Sequence, residues 1–222
     1  MSSFLPSLYL LGLYSAYAAG SAFLHSRSAQ PDLASKATTH SVPAVTLLLV
    51  LVVTIPTTLQ FFFPLLLVVL QRDSTRFVNG EWWRLVTPLV VQDGGMTGAL
   101  FNLVSLFLVG SVAEQLWAKR DTLLVFFTGG IVGEMVGFAW QPIGAGNSLG
   151  NFSLAASIAI ACLIRRSSRM VRIASCLALG ADVVLLALRD IHGAAALAGA
   201  FLAFVLSQTW YRREQKSSEE EP

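Results

Sequence analysis

A serine and a histidine at the starts of two apolar segments could together carry out nucleophilic chemistry. Ser148 follows a loop of small residues and opens one apolar segment, and His192 opens a later one. A serine hydroxyl becomes a competent nucleophile when an imidazole within hydrogen-bonding reach accepts its proton. The pair therefore predicts a hydrolase centre with Ser148 as nucleophile and His192 as base, acting without a third acidic residue.

The position of each residue favours chemistry, although each also has a structural interpretation. Ser148 is a good helix N-cap, and a histidine near a helix start is often an interfacial residue. However, the first backbone N–H groups of a helix are unpaired and carry partial positive charge, so they could hold an oxyanion formed at Ser148. Gly146, in the preceding loop, would let a substrate backbone approach closely.

Small residues would allow the two helices to pack closely enough for the hydroxyl and the imidazole to meet. They bring membrane helices together because the backbones can approach one another. At helical spacing, the small residues that share a face with Ser148 or His192 are Ala155, Ala156, Ala159, Ala195, Ala196, Gly199 and Ala203. The spacing therefore predicts contact between the two helices.

Other polar residues at membrane depth also need an explanation, because lipid does not solvate them. Asn102 could bridge helices, or its side-chain amide could donate to the same oxyanion. Glu134 and Asp182 could form helix-to-helix hydrogen bonds, or they could be the intramembrane carboxylates of a small transporter. No set of cysteine and histidine residues predicts a metal or cofactor site.

The chain as a whole has the composition of a protein solvated by lipid. Of its 222 residues, 55% are hydrophobic and 13% are charged, against roughly 25% charged in soluble domains. The apolar runs are continuous rather than alternating, which indicates helices and not an outer-membrane barrel. We expect an all-α, polytopic bundle with Pro56 and Pro64 kinking or ending its second span. The seven spans are expected at about residues 4–24, 42–60, 98–116, 122–140, 148–164, 173–188 and 191–210.

The distribution of lysine and arginine predicts the orientation of the bundle. Basic residues after the first, third, fifth and seventh spans all fall on one side, which the positive-inside rule makes cytoplasmic. The C-terminus is then cytoplasmic, and we expect the cell membrane as the location. Three regions are predicted: an N-terminal transmembrane helix and cytoplasmic loop (1–41), a membrane domain (42–211) and a charged cytoplasmic tail (212–222). The net charge of +2 gives no indication of a nucleic-acid partner.

Several short motifs lie in a characteristic order along the chain. They are GEWWRLVTP at residues 80–88, Phe101-Asn102, EQLW at residues 114–117 with Arg120, GNSLG at residues 146–150, and His192 with Ala195 and Gly199. Together, from about residue 42 to residue 211, they resemble the rhomboid family of intramembrane serine proteases.

The resemblance implies a fold and a mechanism. The fold would be a six-helix core with one extra N-terminal helix, and a dyad of Ser148 and His192 would cleave transmembrane protein substrates within the lipid bilayer. The Ser148 backbone N–H and the Asn102 side chain would hold the oxyanion. No cofactor is implied, and the oligomeric state stays open.

The resemblance also implies supporting residues around the substrate pocket. Gly146 and Asn147 would shape the loop before the nucleophile, and Phe152 corresponds to an aromatic residue that packs against the histidine. Trp83 and Arg84 match a partly embedded outer loop that helps to shape lateral access.

Two positions depart from the family pattern. Gly98 stands where many members have a histidine, and Leu149 follows the serine where glycine is usual. The first change removes one oxyanion donor, and the second could narrow the pocket. A catalytically inactive rhomboid-like protein that binds transmembrane clients is therefore the alternative to a protease.

Overall fold

The computed structural model describes the backbone of residues 4–28, 42–165 and 167–219, and within them the side chains from residue 5 to residue 208. The predicted cytoplasmic loop at residues 29–41 and the side chains of the predicted charged tail lie outside that description. Long helices dominate the fold: α1 Phe4–Ser28, α2 Ala44–Phe62, α5 Gly95–Leu116, α6 Lys119–Trp140, α7 Ser148–Ile164, α8 Arg169–Ala187 and α9 Ile191–Glu219. Two short helices, α3 Leu65–Leu70 and α4 Ser74–Val78, lie between α2 and α5.

The long helices confirm the predicted all-α membrane bundle. Six of them, among the described residues, are long and apolar enough to cross a bilayer. The remaining long helix, α7, is apolar but has 17 residues. It would rise about 25 Å, less than the roughly 30 Å thickness of a hydrocarbon core.

The connection between α2 and α5 is more structured than the sequence predicted. Pro56 lies inside α2 without ending it, and the break falls at Phe63 and Pro64, before α3. Two 3₁₀ helices, Trp82–Leu85 and Thr87–Val90, follow α4. A two-residue strand, β1 (Arg72–Asp73), pairs antiparallel with β2 (Ile143–Gly144), a small addition to the all-α fold that apolar patterning did not predict.

A buried ion pair fixes this connection to the bundle. Arg72 Nη1 donates to Glu134 Oε2 on α6 at 2.6 Å, and Arg72 Nε donates to the Gln141 carbonyl at 2.7 Å. Both side chains are almost fully buried, so each charge needs the other. Glu134 therefore makes a structural contact between helix and loop.

The centre of the bundle is α7, which is buried along nearly its whole length. Its most extensive neighbour is α9, as the small residues predicted. Gly129 of α6 and Gly199 of α9 both lie against Ser153 of α7, and a methyl group at either glycine would overlap Ser153. Glycine at these two positions therefore sets the spacing of the three helices.

The N-terminal helix α1 is part of the bundle. It packs against α8, α7 and α5, and it lies between α5 and α8, which have little direct contact with each other. Asp182 of α8 faces α1 beside Gly12. Its Oδ1 atom is buried and has no hydrogen-bond partner among the described residues.

Candidate active site

The two residues that the sequence proposed as nucleophile and base are in contact. His192 Nε2 lies 2.9 Å from Ser148 Oγ. Ser148 is the first residue of α7, and His192 is the second residue of α9, so the packing of these helices brings their ends together. The contact that the serine–histidine hypothesis requires is therefore present, with both side chains partly accessible.

A third residue, Asp190, completes a chain of hydrogen bonds that the sequence analysis did not predict. Its Oδ1 atom lies 2.6 Å from His192 Nδ1 and also accepts a hydrogen bond from the His192 backbone N–H at 2.9 Å. An ionised carboxylate can only accept, so Nδ1 carries a proton and the unprotonated Nε2 faces Ser148. The arrangement is that of a serine–histidine–aspartate triad.

The surroundings of Asp190 keep it ionised. Burial by itself would raise its pKa, but the hydrogen bond and charge of His192 and the hydroxyl of Tyr9 act in the other direction and lower the pKa to about 2. Tyr9 OH, on α1, donates to Asp190 Oδ2 at 2.6 Å. Both carboxylate oxygens are thus held.

A signal for Asp190 existed in the sequence. An aspartate directly before an apolar helix is a favoured N-cap, whose side chain accepts from a backbone N–H in the first turn. That position, two residues before His192, is the one that Asp190 occupies. The contribution of Tyr9 had no comparable local signal, because 181 residues separate it from Asp190.

Donors for an oxyanion are gathered beside Ser148. No side chain caps the first N–H groups of α7, which leaves backbone donors at the helix start. Asn102, on α5, lines the same cavity as Ser148. Its Nδ2 atom donates to Gln92 Oε1 at 2.8 Å, which leaves the second proton of that amide to donate elsewhere.

Buried amides hold Asn102 and the loop before the nucleophile. Gln92 Nε2 donates to Asn147 Oδ1 at 2.7 Å, and the Gln92 backbone exchanges hydrogen bonds with the side chain of Gln60 on α2. The side-chain amides of Asn147 and Asn151 both donate to the Asn102 carbonyl. Asn147 is fully buried, so it supports the site from behind and does not line the cavity. The sequence analysis missed Gln60 and Gln92.

Gly146 needs to be a glycine for two reasons. Its φ of 153° is rarely adopted by residues with a side chain. A Cβ atom there would also lie 3.3 Å from Asn102 Nδ2 and 3.4 Å from Ser148 Oγ, inside the space between nucleophile and amide donor.

Phe152, Leu149 and Gly98 have different surroundings in the structure. The Phe152 ring packs against His192 with 4.9 Å between ring centroids. Leu149 is buried and packs with Leu89, and it also borders the cavity. At Gly98 a Cβ would meet nothing within 4 Å, so the position of the absent histidine is open space.

Trp83 and Arg84 do not line the cavity that contains Ser148. Trp83 is an exposed side chain, whereas Arg84 is completely buried. The Arg84 guanidinium pairs with Glu81 and donates to the Gln71 carbonyl at 2.6 Å. Arg84 therefore holds the 71–85 connection together without lining this cavity, and its predicted supporting role at the outer loop stays a prediction.

The cavity at the site has a volume of about 260 Å³ and opens to the exterior. Its walls include Ser148, His192 and Asn102, together with the Arg72–Glu134 pair. Among the described residues, no three histidine, cysteine, aspartate or glutamate side chains lie close enough together to hold a metal ion.

Comparison with known proteins yields one family. Residues 79–214 match the Rhomboid domain. The chain is 38% identical over 90 residues to "Putative rhomboid protease YdcA" of Bacillus subtilis (strain 168), covering 38% of this chain and 45% of that protein. It is 32% identical over 71 residues to "Rhomboid protease GluP" of the same organism, covering 32% of this chain and 14% of that protein. It is 28% identical over 71 residues to "Rhomboid protease AarA" of Providencia stuartii, covering 32% of this chain and 25% of that protein. In each case the match spans less than half of the relative's length.

Proposed function

The chain belongs to the rhomboid family, and we propose that it is an intramembrane serine endopeptidase that cleaves transmembrane protein substrates. It is an integral, multi-pass membrane protein, which makes other membrane-embedded segments the substrates within its reach. The observation that carries the proposal is the 2.9 Å contact between His192 Nε2 and Ser148 Oγ at the start of a buried helix.

The proposed reaction begins with a proton transfer. His192 takes the proton of the Ser148 hydroxyl as the oxygen attacks the carbonyl carbon of the scissile peptide bond. Asp190 holds the imidazole in the required tautomer and stabilises the imidazolium that forms. This scheme adds an acid to the dyad that the resemblance implied.

The tetrahedral intermediate places a negative charge on the former carbonyl oxygen. Backbone N–H groups at the start of α7 and the second amide proton of Asn102 would donate to it. Collapse of the intermediate breaks the C–N bond, and the imidazolium of His192 protonates the leaving amine. Water then enters the cavity and hydrolyses the acyl-enzyme, with His192 again acting as base.

The length of α7 supports a reaction below the membrane surface. A helix of 17 residues that reaches one surface would begin several ångströms below the other, because it is shorter than the hydrocarbon core is thick. Ser148 would then lie at a depth where a substrate helix must unwind to expose a peptide bond. We place this end of the bundle outside and the C-terminus in the cytoplasm of a cell membrane, following the distribution of basic residues.

A fluorophosphonate probe tests the proposal directly, because it labels only an activated serine. Purified protein in detergent, incubated with the probe and with a model transmembrane substrate, should be labelled and should cleave. Ser148→Ala should do neither. The matched variant Ser111→Ala should do both, since Ser111 is a half-buried residue of α5 whose hydroxyl donates to the carbonyl of Phe107 in its own helix.

The inactive alternative predicts a different result. A wild-type protein that is folded, as judged by its thermal unfolding, but is neither labelled nor able to cleave would be a client-binding rhomboid relative. Cleavage that persists in Ser148→Ala would show that another group is the nucleophile.

A further inference from the structure

We infer that Tyr9 is a positioning residue of the active site, so that the N-terminal helix α1 is built into the catalytic centre. The inference rests on the proposed function, because it concerns the residues that orient His192. Helix α1 precedes the residues that match the Rhomboid domain, so the family resemblance gives this helix no role.

Helix α1 occupies a fixed place beside the site. It lies between α5, which carries Asn102, and α8, which leads into Asp190. Two glycines allow this close approach. A methyl group at Gly20 would overlap Val112 of α5, and one at Gly12 would lie 3.3 Å from Phe152 of α7. The position of α1 along the bundle is therefore set by packing on three helices.

Tyr9 makes three contacts with residues of the active site from this position. Its hydroxyl donates to Asp190 Oδ2 at 2.6 Å. Its ring lies 4.6 Å from the His192 ring and 5.6 Å from the Phe152 ring, centroid to centroid. The imidazole thus packs against two aromatic rings from different helices, which also contact each other, and the carboxylate bonded to it is held at both oxygens.

The hydroxyl of Tyr9 restrains a motion that would impair the reaction. Asp190 Oδ1 accepts a hydrogen bond from His192, and Oδ2 accepts one from Tyr9. Without that partner the carboxylate could turn about its terminal torsion, which is broad for aspartate. The His192 Nδ1–H would then lose its aligned acceptor for part of the time, and Nε2 would no longer point steadily at Ser148.

This role predicts an effect on the chemical step and little effect on substrate binding. The Tyr9 ring borders the cavity, and phenylalanine would keep that wall while removing the hydroxyl. We therefore expect Tyr9→Phe to lower kcat about tenfold, the factor typical of one hydrogen bond to a charged group, and to leave KM within about twofold. Activity should also be lost at a higher pH on acidification, because the Tyr9 hydroxyl lowers the pKa of Asp190 and its removal raises that pKa.

Tyr14→Phe is the matched control. Tyr14 is on the same helix, and its ring contacts Phe101 with centroids 6.3 Å apart. Its hydroxyl has no hydrogen bond within the part of the chain that the structure describes. The control should therefore match the wild type in kcat, KM, pH profile and thermal unfolding. Tyr9→Phe should match it in KM, should differ in kcat and pH profile, and should unfold at a temperature a few degrees lower, because it loses a hydrogen bond to a buried charge.

A spectroscopic measurement separates this inference from the proposed function. The His192 Nδ1 proton, in a 2.6 Å hydrogen bond to Asp190, should give a strongly downfield proton signal in protein labelled with ¹⁵N-histidine, assigned by its absence from His192→Ala. In Tyr9→Phe the signal should move upfield and broaden. An unchanged signal would overturn the inference, whatever the rates are. A wild type that shows the signal but neither cleaves substrate nor reacts with fluorophosphonate would instead overturn the proposed function. In that case the comparison of the signal between wild type and Tyr9→Phe would still decide whether Tyr9 positions Asp190.

Discussion

Replacement of Asp190 by asparagine tests how the site activates its serine. The substitution keeps the size of the side chain and removes its charge. Asp190 receives two hydrogen bonds from His192 and one from Tyr9. It does not line the cavity, so a substrate should bind as before. The expected loss is therefore in kcat and not in KM.

The size of the loss follows from the contacts. A hydrogen bond between charged groups contributes about 1.5–3 kcal/mol, and each 1.36 kcal/mol is a factor of ten in rate. The loss of charge alone therefore predicts about a hundredfold lower kcat. Asparagine can also donate to Nδ1, which would put the imidazole proton on Nε2, where it faces Ser148 and blocks base catalysis. We expect a total loss of about 10²- to 10³-fold.

The assay is cleavage of a model transmembrane substrate by purified protein, with the rate of fluorophosphonate labelling measured in parallel. Asp121→Asn is the control, because Asp121 lies in the first turn of α6, at the end of that helix away from the cavity. An Asp190→Asn protein that keeps kcat within about threefold of the wild type, while His192→Ala is inactive, would refute the triad and leave the dyad acting alone.

The pH dependence of stability gives a second readout on Asp190. Its pKa in the folded protein is lowered to about 2, whereas an unfolded aspartate has a pKa of about 3.9. A group with a lowered pKa stabilises the fold above its unfolded pKa, and this contribution disappears as the pH falls from about 4 to about 2. The difference in thermal stability between wild type and Asp190→Asn should therefore be present at pH 5 and should shrink towards pH 2. A difference that does not change with pH would mean that the pKa of Asp190 is the same in the folded and unfolded protein, so that its contacts do not favour the ionised form.

Three further substitutions test the remaining parts of the site and its framework. Asn102→Ala should lower kcat about a hundredfold or more with little change in KM, because it removes a side-chain donor to the oxyanion. An unchanged kcat would mean that backbone N–H groups alone stabilise the oxyanion. Gly199→Ala should lower stability by about 1–3 kcal/mol and reduce cleavage, because the new methyl group overlaps Ser153 of α7. Gly180→Ala is the control for Gly199→Ala. A methyl group there meets nothing within 4 Å, so it should leave cleavage intact and should not lower stability. Asp182→Asn should raise the melting temperature by about 2–4 °C and leave cleavage intact, because a buried carboxylate oxygen without a partner disfavours the fold. Loss of cleavage in this variant would show that the carboxylate takes part in the reaction.

Local properties of the sequence determined most of the fold. Continuous apolar runs predict membrane helices because lipid cannot satisfy an open backbone, and all seven predicted helices are present. Small residues on the faces of Ser148 and His192 indicated that α7 and α9 would pack together, which they do. Ser148, His192 and Asn102 could be identified as candidate site residues from the sequence. Polar side chains at membrane depth are costly, and those that occur there are usually functional.

The tertiary structure decided which further residues complete the site. Gln92 and Tyr9 have no local pattern that marks them, since Gln92 lies in a connection and Tyr9 in an ordinary apolar helix. Arg84 has the sequence context of a pocket loop, yet its side chain is buried against Glu81 and backbone carbonyls. Periodicity reports which face of a helix is apolar, but it does not report which distant helix covers that face. The 2.6 Å contact between Tyr9 and Asp190 exists because α1 packs between α5 and α8, and that packing depends on the shapes of all three helices together.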